Sequence, residues 1–237
     1  MKTIQETRRR TPLQEFRAAI RDIIPLAFGV AIYGAAFGLL AAQAGMSELQ
    51  TGVMGTFVFA GSSQIVAAER LVAGAGAFAA IVAGLALNLR LLLMTASLRD
   101  EFAGRPIWQV LLGVHLTSDE NWALMHAARA KGMHAGYWYL VGGGASLLLV
   151  WIVSTVLGVS FAKALPDPRA VGIDFAFTAA FIAILCNLWR GVEDFLPWAV
   201  SIGCAGALTL LTPVEPSWAL AFGGVAGAAV AGIFQND

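Results

Sequence analysis

Long apolar runs, interrupted at a few places by short polar groups, dominate this chain. Runs over 23–43, 49–68, 71–97, 107–127, 137–161, 173–190, 194–212 and 216–234 each approach the roughly 20 apolar residues that span a bilayer as a helix. The second run is broken by Gly61-Ser62-Ser63-Gln64. The fourth is apolar only from Ile107 to Leu116 before it meets Thr117-Ser118-Asp119-Glu120-Asn121. The pattern predicts an all-α, polytopic helical membrane protein with about six to eight membrane segments. The second and fourth are candidates for re-entrant or discontinuous helices. The short alternating segments of a membrane-spanning barrel are not seen.

Composition agrees with the pattern. Hydrophobic residues make up 58% of the 237 and charged residues 13%, against about 25% charged in soluble domains. Formal net charge is zero, which gives no reason to expect a nucleic-acid partner; the partner expected on composition is the lipid bilayer. Cys186 and Cys204 fall in apolar runs and read as small packing residues. Neither they nor the three scattered histidines show metal-ligand spacing, so no cofactor is expected.

Residues 1–21 are polar and basic (Lys2, Arg8, Arg9, Arg10, Arg17, Arg21) and read as a cytoplasmic N-terminal segment ahead of one transmembrane domain over 22–237. Within 12–24, Leu13, Phe16, Ile20 and Ile24 recur near helical spacing, which suits a short amphipathic helix on the membrane surface. Lys/Arg bias places the N-terminus inside. With eight crossings, Arg70, Arg129, Lys131 and Arg190 share that side, whereas Arg99 and Arg105 fall outside, against the trend. One broken segment that fails to cross would move them. Two triplets of segments, starting at 23, 49 and 71 and at 173, 194 and 216, would enter from opposite faces, as an inverted repeat requires.

Four polar clusters could carry chemistry. Gly61-Ser62-Ser63-Gln64 combines small residues suited to close helix packing with an amide that needs partners in hydrocarbon. A break there would free backbone N–H and C=O groups for a substrate's charged ends. Asn88 and Arg90 lie among leucines, and an Arg at membrane depth costs roughly 2.5–3.5 kcal/mol on insertion scales unless it is paired or wet. Asp119 and Glu120 are ordinary solvated charges in a loop, but coupling or pairing groups at membrane depth. Asp174 opens a later apolar run, either as a helix cap or as a partner for Arg90. Trp and Tyr residues mostly suit interfacial belts.

At these clusters the chain resembles the AzlC family of branched-chain amino acid transport proteins. The resemblance rests on Phe37-Gly38-Leu39, Ala60-Gly61-Ser62-Ser63-Gln64, Asn88-Leu89-Arg90 followed by Ser97-Leu98-Arg99, Asp119-Glu120, and Gly172-Ile173-Asp174-Phe175, in that order. Ser62 stands where the family more often has Ala, and His or Asp is more usual near position 88 in some members. The resemblance implies an exporter of branched-chain amino acids that works with a small AzlD-like membrane subunit. The chain lacks a Gly-x-x-x-x-Gly-Lys-Ser/Thr loop for ATP, which favours an ion gradient as the energy source.

The mechanism this suggests brings the polar breaks together near the midplane on an apolar pocket. Gly61, Ser62, Ser63, Gln64 and Asn88 would bind substrate there. Arg90, Asp119, Glu120 and Asp174 would serve coupling or a structural ion pair. Phe59 and Ile65 would accept the branched side chain. The rival readings are a serine hydrolase using Ser62 or Ser63 with His115, a small-solute channel, and a non-transporting assembly partner.

Overall fold

The computed structural model describes residues 11–74, 76–164, 189, 191–214 and 216–234. The chain divides into two compact units, Met1–Ala180 and Phe181–Asp237. Asp174, and the run that opens the second expected triplet, lie outside the described residues.

The first unit is built on α1 (Pro12–Gln43), α2 (Glu48–Val58), α3 (Gly61–Val72), α4 (Gly76–Ser97), the short α5 (Arg99–Phe102), α6 (Ile107–His115), α7 (Asp119–Ala130) and α8 (Tyr137–Ala164). Side-chain caps start several of them. Thr11 with Gln14, Ser47 with Gln50 and Ser118 with Asn121 form reciprocal capping boxes before α1, α2 and α7, satisfying backbone donors the helix cannot. α1 runs unbroken through Pro25, so residues 12–24 are the first turns of the first span. Leu13, Ile20 and Ile24 face outward while Ala19 and Ile23 are buried.

Helices α1 and α8 are parallel and form the spine. Phe16 backs onto Gly142, Gly34 onto Trp151 and Ser154, and Gly38 onto Gly158. Gly34-x-x-x-Gly38 against Ser154-x-x-x-Gly158 brings the two backbones together, as small residues allow in membranes. The core around this seam holds Phe37, Leu40, Ala41, Ile65, Leu147, Trp151 and Val159.

Both broken segments are re-entrant. Glu48 pairs with Lys163 at the end of α8, and Gly52 and Gly55 then meet Val156 and Trp151, so α2 runs inward from the far end. After Phe59 and Ala60 the chain turns. Ser62 is level with Arg90, Ser63 with Asn88, and Gly84 lies against Ser63 and Ala67. Thus α3 runs antiparallel to α4 and returns to the far end. The second hairpin mirrors this from the N-terminal end. Tyr137 receives the start of α6 through the Gln109 carbonyl, His115 reaches the ring of Phe59, and α7 comes back so that Arg129 bonds Glu101 and the Ala135 carbonyl. Span and hairpin (α1 with α2–α3) are followed by span and hairpin of opposite sense (α4 with α6–α7).

This resolves the awkward arginines. Arg17, Arg21, Arg99, Arg105, Arg129 and Lys131 all belong to the N-terminal end, and Arg70 and Lys163 to the other. A topology reporter fused at Gly104 is therefore expected to report the same side as the N-terminus, opposite to one placed at Gly45.

In the second unit a 3₁₀ turn (Val192–Asp194) leads into α9 (Phe195–Leu211), which packs antiparallel on α10 (Pro216–Phe234). Gly223 sits against the Ser201 carbonyl and Gly227 against that of Pro197. Among the described residues, α1, α4, α8 and Val192–Leu211 are long and apolar enough to cross a membrane.

Candidate functional site

The two re-entrant tips meet beside α4, where the joining side chains of Arg90 and Asp119 are 44% and 38% exposed. The first turn of α3 follows the break at Phe59-Ala60, two residues before the expected position. Its N-cap, Ala60, offers no side-chain acceptor. The first intrahelical bond is donated by the Gln64 amide to the Ala60 carbonyl at 3.0 Å, so the N–H groups of Gly61, Ser62 and Ser63 have no hydrogen bond among the described residues. A helix start of this kind concentrates unsatisfied donors and partial positive charge. The start of α7, by contrast, carries a side-chain cap, which takes up the Asn121 N–H and leaves those of Asp119 and Glu120. Ser118 and Asn121 cap each other, and the Asn121 side chain also donates to the carbonyls of Leu116 and Leu140 at 2.7 and 3.2 Å.

Side chains tie the tips to α4. The Arg90 guanidinium bonds Asp119 at 2.7 Å and donates to the Ser62 hydroxyl at 2.8 Å, bridging the first turns of α3 and α7. Ser63 donates to the Asn88 side chain at 2.6 Å. Gln64 is fully buried; its carbonyl accepts from the Trp151 indole at 2.9 Å, and its Nε2 has no partner. The indole fixes which end of the amide is which, since only an acceptor can face an N–H donor. The orphan is therefore an N–H₂ group.

Seven of the expected residues, Ser62, Ser63, Gln64, Asn88, Arg90, Asp119 and Glu120, are thus gathered with Gly61 at the two tips and on α4. Gly61 has a spatial reason to be glycine: an added Cβ would sit 2.8 Å from the Trp151 ring and 3.1 Å from Tyr33. Asp119 is the observed partner of Arg90. Glu120, in the same turn, is half-buried without a hydrogen bond or ion pair among the described residues. Ile65 is packed in the core and is unavailable as a pocket wall. Phe59, at the tip, faces His115. Neither serine hydroxyl is bonded to His115. Ser62 is held by Arg90 and Ser63 by Asn88, so the serine–histidine arrangement of a hydrolase is not formed.

Two aromatic residues at the site are not among those singled out by polar pattern. Trp151 sits in the middle of the 28-residue α8, where an interfacial role is excluded by depth. Its ring stacks on Phe37 with centroids 5.7 Å apart and contacts Tyr33 at the same separation. Tyr33 lies mid-span in α1, its ring edge against Gly61 at the tip. Position within the run was the available signal: an aromatic with a polar handle far from either interface needs a buried partner.

A family model described as "AzlC protein" matches residues 25–165, which include both tips, α4 and α8. The chain is 26% identical over 196 residues to a Bacillus subtilis protein named branched-chain amino acid transport protein AzlC, covering 83% of this chain and 76% of the relative. It is 23% identical over 219 residues to an uncharacterized membrane protein of Haemophilus influenzae, covering 91% and 88%. It is also 25% identical over 210 residues to the Escherichia coli inner membrane protein YgaZ, covering 83% and 82%. No solved structure gives a significant match.

Proposed function

The chain belongs to the AzlC family, and from that premise we propose that it exports branched-chain amino acids across the inner membrane. Export is driven by an ion gradient, and a small AzlD-like membrane subunit completes the working unit. The N-terminus lies in the cytoplasm, because Arg17, Arg21, Arg99, Arg105, Arg129 and Lys131 gather at that end of the first unit.

One observation supports a transport site above all: two half-helix N-termini meet at membrane depth next to an ion pair. Irregular backbone inside a bilayer is tolerated where it is buried in protein or lines a cavity, and broken helices of this kind suit charged substrate groups and coupling ions. The uncapped donors of α3 and the orphan Gln64 N–H₂ suit a carboxylate. Selection by an apolar wall is worth about 1–3 kcal/mol per methylene, which allows valine, leucine, isoleucine and methionine to overlap as substrates.

Replacing Gln64 with Leu is expected to lower labelled-leucine efflux from loaded cells at least about tenfold at equal membrane abundance, from loss of one hydrogen bond to a charged group. Trp151→Phe, which removes the indole donor but keeps the amide, should lose much less. Equal efflux from the Gln64→Leu and parent chains would take Gln64 out of the substrate site. Saturable efflux that collapses with the proton gradient separates a transporter from a channel.

A further inference from the structure

The two carboxylates at the start of α7 are not equivalent. Asp119 is committed: it bonds Arg90, which at the same time holds Ser62. Glu120 is half-buried and makes no hydrogen bond or ion pair among the described residues. The two half-helix ends are not equivalent either. At α7 the Ser118–Asn121 box takes up the Asn121 N–H and leaves those of Asp119 and Glu120, whereas α3 has no side-chain cap, three unused N–H donors and, one turn on, the buried unpartnered Nε2 of Gln64. The Gln64 amide is held on Trp151, whose ring also lies against Gly61 in the open turn.

Resting on the transport reading above, we propose that a zwitterionic amino acid binds with its carboxylate on the open end of α3 and its ammonium on Glu120. Proton and substrate then compete for that one carboxylate. Arg90 sets the distance between the two ends, bonded at once to Ser62 in the first turn of α3 and to Asp119, the neighbour of Glu120, in that of α7. Donors gather at the α3 end, while of the two carboxylates at the start of α7 Glu120 is the one without an ion pair among the described residues.

The consequence is a coupling device. An ammonium and a proton cannot both sit on that carboxylate, so binding the one requires the other to leave for water. One carboxylate that carries either a proton or an amino acid exchanges them across the membrane in opposite directions. Among the described residues, the charged and titratable groups gathered with Glu120 at the tips are Asp119 beside it, Arg90 from α4 bonded to Asp119, His115 at the end of α6 against Phe59, and Tyr33 from α1 against Gly61. In α3 and α8 such groups lie only toward the helix ends, away from the tips. Arg90 and Asp119 neutralise each other, so Glu120 sets the exchange.

The test is binding to the purified full-length protein, folding being checked by monodisperse gel filtration. The probes are leucine, 4-methylpentanoate (leucine without its ammonium) and isopentylamine (leucine without its carboxylate). Below the pH at which Glu120 takes up its proton, leucine affinity should fall about tenfold per pH unit, with about one proton released per leucine bound. Isopentylamine should follow the same slope, and 4-methylpentanoate should not. Glu120→Gln should bind leucine at least about tenfold more weakly, without slope or proton release, and leave 4-methylpentanoate unchanged. Asp119→Asn should keep the slope. Leucine binding that ignores pH, or a slope that survives Glu120→Gln, overturns the competition while leaving transport intact. A folded protein that binds none of the three probes overturns the transport reading with it.

Discussion

Replacing Arg90 with Met is expected to abolish leucine efflux and to destabilise the folded protein by roughly 2–3 kcal/mol, the order of the cost of leaving a lone Asp at membrane depth. Arg90 bonds both re-entrant tips from α4, through Ser62 and Asp119. Its loss removes a strut and strands a carboxylate together. Removing one member of such a pair costs far more than removing both, so Arg90→Met/Asp119→Leu should recover membrane abundance and thermal stability beyond either single change, while efflux stays absent. Exchanging the charges, Arg90→Asp with Asp119→Arg, should rescue less. It places a cation at a helix N-terminus, where the helix dipole opposes it, and it leaves Ser62 without its donor. Melting temperature in detergent and efflux at matched abundance read the two effects separately. If the double variant melts no higher than Arg90→Met, the bond to Asp119 is not what holds Arg90 in place.

The extent to which this arrangement was legible in sequence follows from what hydropathy measures. A run of apolar residues reports length and not direction. α2 and α3 together are as long as one crossing helix, so the second segment reads as a span until the chain is seen to reverse at Phe59-Ala60. The polar interruptions gave the positions of both breaks to within two residues, because Ser, Gln, Asp and Glu have no place in a simple span. The reversal left one trace, in the charges. Arg99 and Arg105 fell on the wrong side of an eight-crossing count, and the two hairpins place them with the other basic residues. The expected inverted repeat between the triplets at 23 and 173 falls partly outside the described residues; what these show is one span and one hairpin, then the same pair inverted, within the first unit. Tyr33 and Trp151 escaped notice because aromatic residues in a membrane chain suggest interfaces by default. The pairing of Arg90 with a carboxylate was foreseeable from the cost of burying it. Which carboxylate it takes was not, since that depends on the level at which α7 begins.

A second large effect is expected at Gly38, far from any charge. A methyl group added there would overlap the Thr155 carbonyl oxygen and would lie 2.8 Å from the Gly158 Cα and 2.9 Å from the Val159 nitrogen. All three are backbone atoms of α8, and none can rotate away, so Gly38→Ala must push α1 and α8 apart. The cost should be on the order of 3 kcal/mol, at the upper end for overpacking a close contact, and Gly38→Val should fail to fold. Two glycines of the same helix serve as controls. At Gly34 the obstacle is the Ser154 side chain, with the Trp151 ring behind it at 3.3 Å. The hydroxyl can take another rotamer, and Gly34→Ala should cost about 1 kcal/mol. Gly29 has nothing within 4 Å of an added Cβ, so Gly29→Ala should be neutral or stabilising, by up to about 1 kcal/mol of helix propensity. The order Gly29 above Gly34 above Gly38 in thermal unfolding tests the parallel α1–α8 seam directly. The seam matters for function because Trp151, which holds Gln64 and walls Gly61, hangs from it. Separating α1 from α8 should therefore weaken leucine binding before the protein unfolds. A Gly38→Ala protein as stable as the parent would mean that these two helices do not meet at Gly38 and Gly158.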